Sequence, residues 1–136
     1  MSVQCRGANN FTSLEKLEIY ISSRKMSKIA WKIYKKLTFK EQKLIGDQFL
    51  RATDSIGANI TEGYGRFHYL DKIKFFYNSR GSYLEAKKHW LELLNERNLI
   101  TKNQYYAYNK EGEIFYKQLN GFISYIYKLH SNKSKN

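Results

Sequence analysis

Two sets of residues in this 136-residue chain have the types and spacing to do chemistry. The first is basic: Lys25, Lys28, Lys32, Lys35 and Lys36 recur at steps of three and four, which gathers them on one face of a helix. They lie in a stretch from Glu15 to Lys40 that holds eight basic and two acidic residues. Ammonium groups so arranged attract phosphates through Coulomb forces and the release of condensed counterions. The same stripe would also serve as an ordinary solvated face. Lys128, Lys133 and Lys135 add charge at the other end of the chain, and 24 Lys plus Arg stand against 12 Asp plus Glu. That net charge of +12 tilts the reading toward nucleic acid.

The second set is a polar row, Gln48, Arg51, Ser55, Asn59, Glu62 and Arg66, again at steps of three and four. It runs beside the apolar positions Ile45, Phe49, Ala52, Ile56 and Ile60. Ser and Asn are poor helix formers, so their place in mid-helix asks for a side-chain reason. One reason is pairing of Arg51, Asn59 and Glu62 with Ser82 and Glu85 across two helices, which would satisfy buried groups and set their register. Gly81 and Ser82 favour this reading, since small residues let helices approach. The other is a groove in which Arg51 and Arg66 hold phosphates while Ser55 and Asn59 add hydrogen bonds. Tyr64, Phe67 and Tyr69 could stack on bases beside Arg66, although aromatics at a helix corner ordinarily pack a bundle end.

Catalytic readings are weaker. His68, His89 and His130 are far apart, and no His, Cys, Asp and Glu cluster has a metal-ligand spacing, so neither a metal nor a cofactor is expected. Glu62 and Glu85 could meet as a carboxylate pair, but Arg51 or Arg66 would more simply neutralise them. Gly63-Tyr64-Gly65-Arg66 is too short for a phosphate loop and follows a helix rather than a strand. No enzymatic activity is expected.

The elements that carry these residues are helical. The chain has no Pro and 42% hydrophobic residues, without a low-complexity linker, so one domain spanning residues 1–136 is expected. Four helices can be read, at about residues 12–37, 39–62, 69–97 and 102–130, with flexible termini. Met26, Ile29, Ala30, Ile33, Tyr34 and Leu37 form the inward face of the first. Thr38 with Glu41 and Thr101 with Gln104 read as capping boxes opening the second and fourth. Gly63 and Gly65 are expected to stop the second through positive φ. In the fourth, Tyr108, Gly112, Phe115, Leu119, Phe122, Ile126 and Leu129 make the seam of an antiparallel up-and-down four-helix bundle, an all-α fold. The third carries more apolar surface than one core needs: Phe76, Tyr83 and Trp90 form one series, Tyr77, Leu84 and Leu91 a second, and Phe75, Ser79, Ser82, Ala86 and Leu93 a third. Burial on two sides, and hence a homo-oligomer, is expected.

No apolar run approaches the roughly 20 residues that span a bilayer. Met1 to Asn10 lack the apolar stretch of a secretion signal, and the one cysteine, Cys5, suits a reducing compartment, so a cytoplasmic protein is expected.

Gln48, Arg51-Ala52, Ser55-Ile56, Asn59-Ile60, Glu62-Gly63 and Arg66, followed by Phe76, Gly81-Ser82 and Glu85, resemble the four-helix-bundle family named for proteins encoded in intervening sequences of bacterial 23S ribosomal RNA genes. The resemblance runs from about Leu17 to about Leu129. Ser79 stands where the family pattern has Ala, and the Pro expected near Phe39-Lys40 and at Gly57 is missing. The resemblance implies a ring of bundles, a pentamer, with no established reaction, and its gene context favours RNA over DNA. It extends to accessory proteins of diversity-generating retroelements, which implies an alternative role as a protein-interaction scaffold, for example beside a reverse transcriptase.

Overall fold

A computed structural model describes residues 13–135, with side chains through residue 132. Met1 to Asn10, Cys5, Thr12 and the side chains of Lys133 and Lys135 therefore lie outside the described residues. After a 3-10 turn at Leu14–Lys16 the chain forms α1, Glu18–Lys36. The second helix, α2, spans residues 39–65 as an α-helical start at Phe39–Glu41, a π turn at Gln42–Gly46 and an α-helix at Asp47–Gly65. The third, α3, spans residues 69–96, again with a π turn, Glu85–Leu91, between α-helical parts Tyr69–Leu84 and Glu92–Glu96. The fourth, α4, is Lys102–Lys135. There is no strand among the described residues.

Local chemistry explains most of the helix ends. The Thr38 hydroxyl accepts from the Glu41 N–H at 3.1 Å while Glu41 accepts from the Thr38 N–H at 2.9 Å. Thr101 and Gln104 repeat the exchange at 3.1 and 2.9 Å. Two orphan donors are thus satisfied at the start of α2 and again at the start of α4. Helix α3 closes on Asn98, whose φ of 58° is the one positive φ among the described residues. The Asn98 and Leu99 N–H groups reach back to the carbonyls of Asn95 and Leu94 at 3.0 and 2.9 Å, a Schellman closure.

The end of α2 departs from the glycine expectation. Neither Gly63 nor Gly65 has positive φ, and both remain helical. The chain leaves the helix at Arg66, which is extended (φ −79°, ψ 143°). The Gly63 carbonyl accepts from the Arg66 N–H at 3.2 Å, and the carbonyls of Gly63 and Tyr64 also accept from the buried Lys72 ammonium at 3.3 and 3.0 Å. Gly63 is required for a different reason, because a Cβ there would sit 2.7 Å from Phe76 Cε1.

The helices alternate in direction, each packing on its chain neighbour, and α4 closes the bundle against α1. Between them lie Met26 and Ile33 from α1, Phe49, Ile56 and Ile60 from α2, Phe76 and Leu91 from α3, and Tyr108, Phe115 and Leu119 from α4, all fully buried. Burial of each such side chain favours folding by about 1.5–3 kcal/mol. Polar bonds pin the register: Thr53 Oγ1 to Tyr108 OH at 2.7 Å across the core, and Ser79 Oγ donating to the Ile56 carbonyl at 2.8 Å between α3 and α2. Ser22, itself buried, donates to Gln118 at 2.7 Å between α1 and α4, and at the surface Ser27 donates to Asp54 at 2.8 Å.

On α3 the seven-residue series diverge. Phe76 and Tyr83 are buried, Tyr77 and Leu84 face outward, and Leu91 is again fully buried. The π turn between Leu84 and Leu91 accounts for this, because an extra residue in one turn rotates the remainder of the helix by about 100°. Leu70, Tyr77 and Leu84 remain as an exposed apolar line along the first part of α3.

Candidate nucleic-acid interface

Helix α1 turns Ile19, Met26, Ala30, Ile33 and, just beyond it, Leu37 into the core, and that phase decides what faces out. Lys25, Lys28, Lys32, Lys35 and Lys36 are all exposed on the opposite side, joined by exposed Arg24. No carboxylate forms an ion pair with any of them among the described residues; the pairs found there are Lys43 with Asp47 at 3.4 Å and Arg66 with Glu62 at 2.6 Å. Lys128 is exposed as well.

One edge of this basic face is aromatic. Trp31, 48% exposed, sits one turn from both Lys28 and Lys35. It stacks on Tyr34 with ring centroids 5.7 Å apart and planes 16° from parallel, and the Lys35 ammonium lies 5.9 Å from its ring centre. Tyr34 is in turn fixed by donating its hydroxyl to Asp47 at 2.7 Å. That bond is the main reason the Asp47 carboxyl is held below its ordinary value and the Tyr34 phenol above its own; Lys43 further lowers Asp47. Two turns before Trp31 the arrangement recurs, with the Arg24 guanidinium 5.8 Å from the Tyr20 ring centre and its Nη1 donating to the Tyr20 hydroxyl at 3.1 Å.

Between α1 and α2 runs a groove of about 470 Å³, edged by Tyr20, Arg24, Lys28 and Trp31 on one bank and by Leu50, Asp54, Ala58 and Thr61 on the other. Through Leu50, Asp54 and Ala58 it adjoins a shallower depression of about 410 Å³ that also takes in Asp47, Arg51 and Ser55. Arg24 and Lys28 of the basic face and Arg51 and Ser55 of the polar row thus border two adjoining hollows.

The cross-helix pairing expected of the polar row is not formed. Gln48, Arg51, Glu62 and Arg66 are exposed, while Ser55 and Asn59 are half-buried. Asn59 donates to the Ser55 carbonyl within α2 at 2.9 Å, Glu62 accepts from Arg66 at 2.6 Å, and Glu85 accepts from the Trp90 indole at 2.8 Å. The row lies outside the α2–α3 seam, whose polar bond is made by Ser79. Gly81 does not mediate a close approach either, since a Cβ there would meet nothing within 4 Å. At the α2–α3 corner Tyr64 packs on the core, Tyr69 stacks on His130 at 3.8 Å, and Phe67 is 84% exposed. Arg66 stands 4.8 Å above the Phe75 ring. Among the described residues no three His, Cys, Asp or Glu side chains gather where a metal ion could be held.

Sequence reasoning overlooked Trp31. Its signal was its position between Lys28 and Lys35, three before and four after, an aromatic interleaved in the basic series.

A model of the family described as 23S rRNA-intervening sequence protein matches residues 15–121. The chain belongs to this family. The match takes in the basic face, the groove and the polar row. A solved protein of unknown function from the S23 ribosomal protein family of Bacteroides thetaiotaomicron is similar in structure, with a TM-score of 0.71 and 30% sequence identity over 78% of this chain and 95% of the other. Comparison with curated proteins finds no match. No helix among the described residues is long and apolar enough to cross a membrane.

Proposed function

We propose that this protein binds structured nucleic acid, RNA in preference to DNA, through the outward face of α1, and that it has no catalytic activity of its own. The observation that carries the reading is the side-by-side exposure of Lys25, Lys28, Lys32, Lys35 and Lys36, with no carboxylate paired to them among the described residues. Cations left without such partners keep their counterions available for release when phosphates arrive, which is the main source of affinity in non-specific binding. Arg66, the remaining basic site residue, is already paired with Glu62 and contributes less. Phosphate contacts from a helix face position the nucleic acid without reading its bases, so little sequence preference is expected.

The working form is a homo-oligomer, a pentamer on the family resemblance. Support comes from the outer face of α3, where Leu70 is 72% exposed and Tyr77 and Leu84 are each 38% exposed in one line. A ring would repeat the basic face and multiply its field. Fluorescence anisotropy of a labelled RNA hairpin and of a DNA duplex of equal length tests the binding. Both should bind at low salt, the hairpin more tightly, and absence of binding at micromolar protein would contradict the reading. Light scattering tests the assembly, and a 16.2 kDa particle would contradict it.

A further inference from the structure

The lysines account for attraction to any phosphate chain, but not for the aromatic edge beside them. A solvated basic face has no need of a half-exposed indole, and burial would have been the cheaper place for it. Trp31 is instead held out by two neighbours: Tyr34 stacks behind it, and Asp47 fixes Tyr34 through a 2.7 Å hydrogen bond. An exposed ring held in one orientation loses little entropy when a second flat ring stacks on it. The groove next to it is about 470 Å³, and its far bank is apolar at Leu50 and Ala58.

Charge sorts what can enter. Arg24 and Lys28 line the α1 bank beside Trp31, with Lys32 and Lys35 exposed beyond them, whereas Asp54, held by Ser27 at 2.8 Å, lines the opposite bank. A phosphate is drawn to the cations of the α1 bank and kept from the α2 bank by the Asp54 carboxylate. An uncharged base joined to that phosphate suffers no such repulsion and finds an aromatic face and an apolar wall.

We infer that the α1–α2 groove is a binding site for an unpaired nucleobase of RNA, stacked on Trp31 while its flanking phosphates lie on Lys28, Lys32 and Lys35. This rests on the nucleic-acid reading above and narrows it, since a base can reach Trp31 only where the strand is single, as in a loop, a bulge or an end. The groove then selects unpaired regions within a structured RNA, and the lysines supply the affinity common to all.

The test uses full-length protein carrying Trp90→Phe, which leaves Trp31 as its only tryptophan, with decauridylate and a ten-base-pair RNA duplex as probes. Decauridylate should quench Trp31 emission on binding and the duplex should not. Trp31→Leu should weaken decauridylate binding by about 5- to 150-fold, the range expected for one stacked base, and change duplex binding by less than about twofold. Trp31→Tyr should retain most of the affinity. Lys28→Gln with Lys35→Gln should weaken both probes. Absence of quenching together with an unchanged decauridylate affinity in Trp31→Leu overturns the base site; if the lysine variant still weakens both probes, the phosphate reading survives it. Failure of the parent to bind either probe at low salt overturns both.

Discussion

The hydrogen bond between Thr53 and Tyr108 offers the sharpest test of how this bundle is held. Both side chains are completely buried, and their oxygens are 2.7 Å apart in the middle of the core. Replacing Tyr108 by Phe removes the phenol oxygen and leaves the Thr53 hydroxyl without that partner and without water. An unsatisfied buried hydroxyl costs about 1–3 kcal/mol, and Thr53 can recover part of this by turning to a carbonyl one turn back in α2, so about 1–2 kcal/mol is expected. With an unfolding entropy of about 2.1 cal/mol/K per residue over 136 residues, each kcal/mol lowers Tm by about 3.5 °C. Tyr108→Phe should therefore melt about 4–7 °C below the parent. Thr53→Val strands the phenol in the same way, whereas the double variant strands neither and should regain at least about 1 kcal/mol over the sum of the singles. Circular dichroism melts of the four proteins complete the cycle. Additive effects, or a Tyr108→Phe protein that melts with the parent, would refute the reasoning.

The same geometry sets other expectations. Gly63→Ala should destabilise by about 1–3 kcal/mol through its clash with Phe76, whereas Gly81→Ala, which meets nothing within 4 Å, should raise Tm slightly through helix propensity; melting of both variants checks the contrast. Asn59→Ala and Glu62→Ala should each change stability by less than about 0.5 kcal/mol, because their bonds lie within α2, and a larger loss in denaturant titration would mean that the row is buried against something else. Asp47 is held below its ordinary 3.8, so its stabilising effect is present above that pH and fades as pH falls through the lowered value. The Tm gap between parent and Tyr34→Phe should accordingly close on acidification. Burial holds Tyr108 above its ordinary 10.0, so stability should decline as pH rises past that value, and less steeply in Tyr108→Phe.

Most of the fold could be read from spacing alone. Most periodic apolar residues of α1, α2 and α4 became the core, and both capping boxes formed, because those signals are local and repeat over several turns; at the end of α4, however, Leu129 of the expected seam is exposed and Ile123, outside that seam, is buried. What escaped depended on packing or on single side chains. The π turns at Gln42–Gly46 and Glu85–Leu91 carry no composition of their own, and the second sends Leu91 inward although its heptad partner Leu84 faces out. The end of α2 depends on a lysine nine residues beyond Gly63 rather than on glycine conformation, and only the α2–α3 corner brings that partner near. Ser79, which lies outside the polar row, supplies the seam bond that the row was expected to make. Of the candidate site, the lysine face was legible because exposure follows from helix phase. The groove was not, since it exists only once α1 and α2 are docked and Trp31 is stacked on Tyr34.

The central claim is that the α1 lysines neutralise phosphates, and the salt dependence of binding tests it most directly. Lys25, Lys28, Lys32 and Lys35 changed together to Gln should leave helix α1 intact, as all four are exposed. Affinity for an RNA hairpin is measured from about 50 to about 200 mM salt on protein whose oligomeric state matches the parent. The plot of log affinity against log salt should become shallower by about 0.7–0.9 for each phosphate no longer neutralised, with weaker binding to all sequences alike. An assembled variant that binds with the parent's affinity and the parent's slope would contradict the account and leave α1 as a solvated surface.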